Sequence, residues 1–188
     1  MKNIFKTLLV AYLSVALLAG CGGSGKTDES GSDSSVPSIV APEDVLIEHT
    51  ILQTDQQEEF TEYQVVYFGH DTNTLKGLQV QVNFDKDAGF TEESLDAINV
   101  DDIYSNFSTM SFASKQIFDD GDTIALVLLF EDLDDPANLK TLHENGIIQL
   151  ENPDASDPVS AKSYVDVMTA AGASEVEAFD AENIHYLI

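Results

Sequence analysis

Seven consecutive apolar residues, Ile124-Ala125-Leu126-Val127-Leu128-Leu129-Phe130, follow the tetrapeptide Asp119-Asp120-Gly121-Asp122. A membrane-spanning helix needs roughly 20 such residues, so this run is too short to cross a bilayer. It has no polar alternation, and it starts at a turn. Those features predict a central strand buried on both faces. Asp-Gly is the strongest short hairpin signal, so residues 114–118 are expected to form the preceding arm. A sheet with a fully buried strand needs cover on both sides, and the rest of the chain has to supply it.

A second hairpin is expected upstream, with arms at residues 62–68 and 75–84. The second arm alternates, with Leu78, Val80, Val82 and Phe84 on one face and Gln79, Gln81 and Asn83 on the other. Period two with one polar face predicts an antiparallel strand lying over a core, its amides turned outward. Gly69-His70-Asp71-Thr72-Asn73 supplies the turn formers. Residues 45–54 are mixed and fit either a short helix or a strand.

Between the hairpins, Thr91 is a candidate N-cap, with Glu92 and Glu93 in the positive first turn. Phe90 and Leu95 have the spacing of a hydrophobic staple. Leu95, Ile98, Ile103, Phe107 and Met110 continue an apolar stripe, predicting one kinked helix or two short ones. Asp135-Pro136 starts another helix, with Leu139 and Leu142 inward and Gly146 as its stop. Residues 147–150 read as a short strand and 152–158 as a loop. Ser160 caps a last helix, with Tyr164, Val167 and Met168 as its apolar face and Gly172 as its stop. Residues 175–179 suit an edge strand, and apolar residues 184–188 are expected to pack back onto the domain. The whole predicts an α+β fold, a mainly antiparallel sheet with helices packed on one face, preceded by a signal peptide and flexible tether.

That leader is read from the first 21 residues. Lys2 and Lys6 stand without an acid, and residues 7–19 are apolar apart from Thr7 and Ser14. A basic start, a short apolar run and small residues at the end make a secretory signal. Leu18-Ala19-Gly20-Cys21 resembles the bacterial lipobox. The resemblance implies cleavage between Gly20 and Cys21, a diacylglyceryl group on the Cys21 sulfur, and often acylation of the new N-terminus with a palmitate-type chain. Two acyl chains suffice for stable anchoring. Residues 22–42 are mostly Gly, Ser, Asp and Thr and cannot bury enough apolar surface to order themselves. About 20 such residues span near 25 Å, at about 5–6 Å × √n. The expected organisation is a signal peptide at 1–20, lipidated Cys21 with its tether at 21–43, and a single α+β domain at 44–188. The expected location is the extracytoplasmic face of the cell membrane, held by the lipid on Cys21.

Charge bounds the partners. The chain holds 34 acids and eight basic residues, all lysines, for a net charge of −26. Loss of Lys2 and Lys6 with the signal leaves six lysines against 34 acids, a charge near −28. Such a surface repels phosphate backbones and anionic lipid, so nucleic acid is not an expected partner. Without arginine there is no planar clamp for phosphate or carboxylate. Cys21 is the only cysteine, which excludes an intramolecular disulfide, a second thiol for catalysis and a Cys-ligated zinc site.

Motifs for chemistry are sparse. Gly25-Lys26-Thr27 resembles the end of a phosphate-binding loop but lacks the upstream glycine spacing and strand. Asp101-Asp102, Asp119-Asp120-Gly121-Asp122 and Glu131-Asp132 with Asp134-Asp135 are dense in carboxylates. They lack the Asp-x-Asp-x-Asp-Gly spacing of a calcium loop. His49, His70, His143 and His185 never pair at helical spacing. No Gly-x-Ser-x-Gly elbow occurs. The chain resembles the YehR-like small bacterial lipoproteins, a family of unknown function. The matching features are the lipobox, Tyr67-Phe68-Gly69 leading into the first hairpin turn, and the apolar strand running into Glu131-Asp132-Leu133. Tyr164-Val165-Asp166-Val167-Met168, followed by Ala171-Gly172-Ala173-Ser174-Glu175-Val176, also match. The family brings no catalytic residues and no cofactor. The expectation is a non-enzymatic binding or scaffolding protein of the envelope, whose ligand is an envelope protein or a small molecule. The alternative is a lipoprotein that captures calcium or zinc.

Overall fold

The computed structural model describes residues 46–148, 150, 157–178, 181 and 183–188. Gly20, Cys21, the signal segment and the tether therefore lie outside the described residues. Among the described residues six strands form one antiparallel sheet in the order β4-β5-β3-β2-β1-β6. The strands are β1 (Ile47–Gln56), β2 (Phe60–Gly69), β3 (Leu75–Asp85), β4 (Ala113–Asp119), β5 (Thr123–Phe130) and β6 (Ser174–Val176). Three helices accompany them: α1 (Glu92–Asp96), α2 (Pro136–Glu144) and α3 (Ala161–Ala170). The α+β architecture is the one the sequence predicts. The ambiguous stretch at 45–54 resolves as β1 from Ile47 onward.

Both hairpins form where expected. In the β4–β5 turn the Asp120 N–H donates to the Thr123 carbonyl at 3.0 Å, and Gly121 takes φ +84°, a left-handed conformation that glycine adopts without strain. β5 lies between β4 and β3, and every residue from Ile124 to Phe130 is buried.

The strand period of two sorts the core into two faces. Leu52, Val66, Leu78, Val80, Val82, Phe84, Leu126 and Phe130 join Leu95, Phe107, Leu139, Leu142 and Tyr164 in the larger cluster. Helices and 3-10 turns cover that face. Each large side chain fully buried there contributes about 1.5–3 kcal/mol. The opposite face carries Val65, Tyr67 and Leu129, packed against Ile184 and Leu187 of the C-terminal segment. The expected return of residues 184–188 onto the domain is thus observed for its apolar side chains.

Capping follows the sequence closely. The Thr91 hydroxyl accepts from the Ser94 N–H at 3.2 Å, and the Ser94 hydroxyl accepts from the Thr91 N–H at 2.9 Å, a reciprocal capping box. Asp135 caps α2 through the Ala137 N–H at 2.9 Å, with Pro136 behind it. Ser160 caps α3 through the Ser163 N–H at 3.3 Å.

Four expectations need correction. The stripe from Leu95 to Met110 is neither one kinked helix nor two short α-helices: α1 has five residues, followed by 3-10 turns at Val100–Asp102 and Phe107–Thr109. Asn106 sits between them at φ +62°, which no helix accommodates. Of the stripe, Leu95, Phe107 and Met110 are buried and Ile98 and Ile103 half-buried, while Val100 and Tyr104 join the core instead. Ile147, Ile148 and Leu150 form no strand and pack on the core as irregular chain. The predicted loop at 152–156 lies outside the described residues. On α3 the inward face is Ala161, Tyr164, Val165 and Met168, while Val167 is 47% exposed. Finally, Gln79, Gln81 and Asn83 do not face water, being 0%, 0% and 7% exposed.

Candidate functional site

Those three buried polar side chains define the most specific polar site among the described residues. They project from β3 at alternate positions, onto the face that the helices leave open. Water should cover them, yet the C-terminal segment does. The Gln79 Nε2 donates to Gln81 Oε1 at 3.0 Å, and the Gln81 Nε2 donates to Asn83 Oδ1 at 2.7 Å. The Tyr67 hydroxyl starts the chain by donating to Gln79 Oε1 at 3.0 Å. Aligned amides polarise one another, so the ladder is directional.

The ladder's remaining capacity goes to the backbone of the tail. Gln79 Nε2 donates to the His185 carbonyl at 2.6 Å, and Gln81 Nε2 donates to the Asn183 carbonyl at 2.6 Å. The His185 N–H donates to Gln81 Oε1 at 3.1 Å, and the Leu187 N–H donates to the Tyr67 hydroxyl at 3.1 Å. Gln81 thereby uses both amide hydrogens and accepts twice on its oxygen, which is its full inventory. A buried amide left unpaired would cost about 1–3 kcal/mol, and here the backbone of the C-terminal segment supplies the partners.

Side chains fasten the same segment. The His185 ring stacks on Phe118 at 3.8 Å between centroids and 11° between planes. Its Nε2 lies 2.9 Å from Asp120 Oδ2. The Asn183 amide donates to Thr123 Oγ1 at 2.9 Å. Tyr186 lies over His49 at 4.5 Å between ring centroids. Ile188 presses on the open backbone at Gly77, where an added Cβ would collide with its Cδ1. Burial pushes the Tyr67 phenol up, while the Leu187 N–H pulls it back.

A second polar group sits within the helix-side core. Glu62 of β2 is 8% exposed, and the Thr54 hydroxyl donates to its Oε1 at 2.7 Å. Burial raises its carboxyl above the usual range; the Thr54 hydrogen bond opposes this and the nearby Asp55 charge adds to it. Tyr104 and Tyr164 are pushed up by burial first and by the Glu62 charge second. The Tyr164 hydroxyl donates to Gln64 Oε1 at 2.9 Å. Lys115 of β4 reaches across to α1 and donates to the carbonyls of Leu95, Asp96 and Ile98 at 2.9, 2.8 and 3.1 Å. Burial lowers its ammonium. It closes the C-terminal end of a helix too short to hold itself.

Several acids of the clusters are engaged locally. Asp101 accepts from the Ser108 N–H at 2.9 Å, and its hydrogen bonds from Ser108 hold its carboxyl below the usual range. Asp119 pairs with Lys86 and accepts from the Gly121 N–H at 3.1 Å, and Lys86 foremost lowers it. Asp120 goes to His185, and Asp134 to Lys76 at 2.9 Å. Asp132 makes a tight bend at φ +52°. Among the described residues no group of three or more His, Cys, Asp or Glu is placed to hold a metal ion. The histidines are dispersed: His70 meets Glu48 at 2.6 Å, and His143 Nδ1 accepts from the Leu150 N–H at 3.1 Å. A shallow cleft of about 230 Å³ opens beside the start of α3, between Thr50, Phe68, Lys162 and Glu175. Its lysine is already paired with Asp166 at 2.9 Å. Among the described residues no helix is long and apolar enough to cross a membrane.

The sequence signal for the tail site was available in part. Alternating Gln79, Gln81 and Asn83 marked the face, and apolar 184–188 marked the cover. Nothing in the spacing joined them, because more than a hundred positions separate donor and acceptor.

No family model matches the chain. No curated protein matches it either. Solved structures similar to it include an NMR structure of a protein from Streptococcus pneumoniae TIGR4, at 16% identity and a TM-score of 0.43, over 82% of this chain and 100% of that one. They also include the NMR structure of Escherichia coli YehR, at 12% identity and a TM-score of 0.48, over 74% of this chain and 97% of that one. Neither likeness bears on what the chain binds.

Proposed function

We propose that this chain is a lipid-anchored, extracytoplasmic domain of the bacterial envelope, of the YehR-like lipoprotein kind, that acts by binding or scaffolding rather than by catalysis. The observation that carries this reading is the N-terminal order of Lys2, Lys6, a short apolar run and Leu18-Ala19-Gly20-Cys21, followed by a Gly/Ser/Asp-rich stretch before the folded domain. The lipid on Cys21 holds the chain to the membrane, and the negative charge keeps the body off anionic headgroups. Partners are sought among envelope proteins and small ligands, not nucleic acids. The alternative, capture of calcium or zinc, rests on acid density alone.

Mass spectrometry of the mature N-terminus from cells tests the anchor. The expected species begins at Cys21 with a thioether-linked diacylglycerol; an unmodified free Cys21 overturns the reading. Thermal unfolding with and without calcium, zinc and manganese tests the alternative. A metal at 100 times its dissociation constant stabilises a fold by about 2.7 kcal/mol, and a saturable shift of that size would put metal capture first.

A further inference from the structure

We propose that residues 183–188 are a displaceable strap, and that the sheet face beneath them is a binding site for an extended peptide carrying a basic residue between apolar ones. This names a ligand class for the binding domain and rests on that reading.

The face recognises backbone. Gln79, Gln81 and Tyr67 contact carbonyls and N–H groups at positions 183, 185 and 187, every second residue of the strap. Such contacts read the path of the backbone rather than its side chains, and at Asn183 that path is left-handed, at φ +53°. Selection falls to side chains: Ile184 and Leu187 rest on Val65, Tyr67 and Leu129. Between them His185 stacks on Phe118 and meets the Asp120 carboxylate. A lysine or arginine at that position would offer the Asp120 carboxylate a charge-assisted hydrogen bond. In a chain with 34 acids the strap holds no acidic side chain. A net charge of −26 draws basic segments and repels acidic ones. The strap is also partly open to solvent. Tyr186 and Ile188 remain 45% and 40% exposed, so the outer side of the strap is open to an incoming segment.

Tethering keeps the strap at an effective concentration on the order of millimolar, so an outside peptide must compete with it. The test uses the full-length chain in detergent and fluorescently labelled hexapeptides, read by anisotropy. One peptide is Asn-Ile-His-Tyr-Leu-Ile; the other has lysine at its third position. Leu187→Ser, which loosens the strap, should bind the first peptide at least tenfold tighter than the unaltered chain does. The lysine peptide should bind severalfold tighter still, and Asp120→Asn should erase that gain. Gln81→Leu added to Leu187→Ser should weaken binding tenfold or more. Ile188→Ser serves as a second loosened chain, and far-UV circular dichroism reports whether each stays folded. Loosened, folded chains that bind neither peptide overturn the proposal, as does binding indifferent to Gln81→Leu. Unfolding of both loosened chains overturns it too, since the strap would then be part of the fold rather than displaceable. Failure here leaves the envelope anchor standing, and a free Cys21 leaves the peptide result standing.

Discussion

The two faces of the sheet are built on opposite principles. The helix side is closed by apolar volume: Phe84 packs on Phe60 and Phe90 at 6.1 and 4.4 Å between centroids, and Phe130 meets Tyr104 and Phe107 edge-on. Such packing is close to non-directional and tolerates many sequences of similar volume. The tail side has only a small apolar cluster and adds hydrogen bonds: two fully buried amides and a phenol contact the backbone at residues 183, 185 and 187. Hydrogen bonds specify geometry strongly but add little net stability, because water offers the same bonds to the open face. One face therefore holds the fold together. The other holds a segment in place, at a free energy that a competitor can match.

The largest expected effect tests the first half of that contrast. Phe84→Ala removes a wholly buried ring and should cost about 3–5 kcal/mol. Chemical denaturation should show one cooperative transition moved to lower denaturant. A loss under 1 kcal/mol would mean that the helix side is not the stabilising face.

Next comes the ladder. Gln81→Leu leaves the Asn183 carbonyl and the His185 N–H without their partners, a penalty of about 1–3 kcal/mol. Most of it should be relieved by release of the strap, because freed groups find water. Hydrogen exchange should therefore quicken at His185 and Leu187 while β5 amides stay protected. Equal quickening in both would erase the distinction between the faces.

Glu62 is the exception on the apolar side, and it gives a pH signature. Its carboxyl is raised by burial, so the folded chain holds that proton more tightly than the unfolded chain does. The resulting stability is present at low pH and is lost as pH rises through the ordinary carboxylate range toward the folded value. The surrounding groups are Thr54, Asp55, Tyr104 and Tyr164. Glu62→Gln keeps an oxygen for the Thr54 hydroxyl and removes the charge. It should stabilise by about 1 kcal/mol near neutral pH and flatten the difference curve. Asp101 and Asp119, both lowered, produce the opposite slope in both proteins and cancel in the comparison. A destabilised variant at pH 7 would show that the ionised form is the one the fold prefers.

Legibility in the sequence followed the same divide. The apolar face could be read from Leu78, Val80, Val82 and Phe84 and from the unbroken run of β5, because a period of two is a local property. Caps at Thr91, Asp135 and Ser160 were equally local. The amide face was read as solvent-facing, since polar alternation on an antiparallel strand ordinarily means water. Only the pairing of Gln81 with the Asn183 carbonyl changes that meaning, and no local pattern encodes it. Likewise the stripe from Leu95 to Met110 picked out Leu95, Phe107 and Met110 as buried but missed Val100 and Tyr104, because Asn106 bends the backbone out of any helix. No local pattern ties Lys115 of β4 to α1, yet its ammonium donates to the carbonyls at the end of that helix.

The smallest effect bounds the contrast from outside. Lys162 and Asp166 form an i,i+4 pair on α3 at 2.9 Å, with side chains 72% and 64% exposed. Exposed pairs at this spacing are worth about 0.3–0.5 kcal/mol and are screened by salt. Lys162→Ala should lower the unfolding midpoint by about 1–2 °C at low salt and by less at high salt. It touches neither the Phe84 cluster nor the strap, so its effect should add to that of Gln81→Leu without coupling. An interaction larger than about 0.5 kcal/mol between the two substitutions would mean that α3 and the strap communicate through the sheet, and that the two faces are not independent.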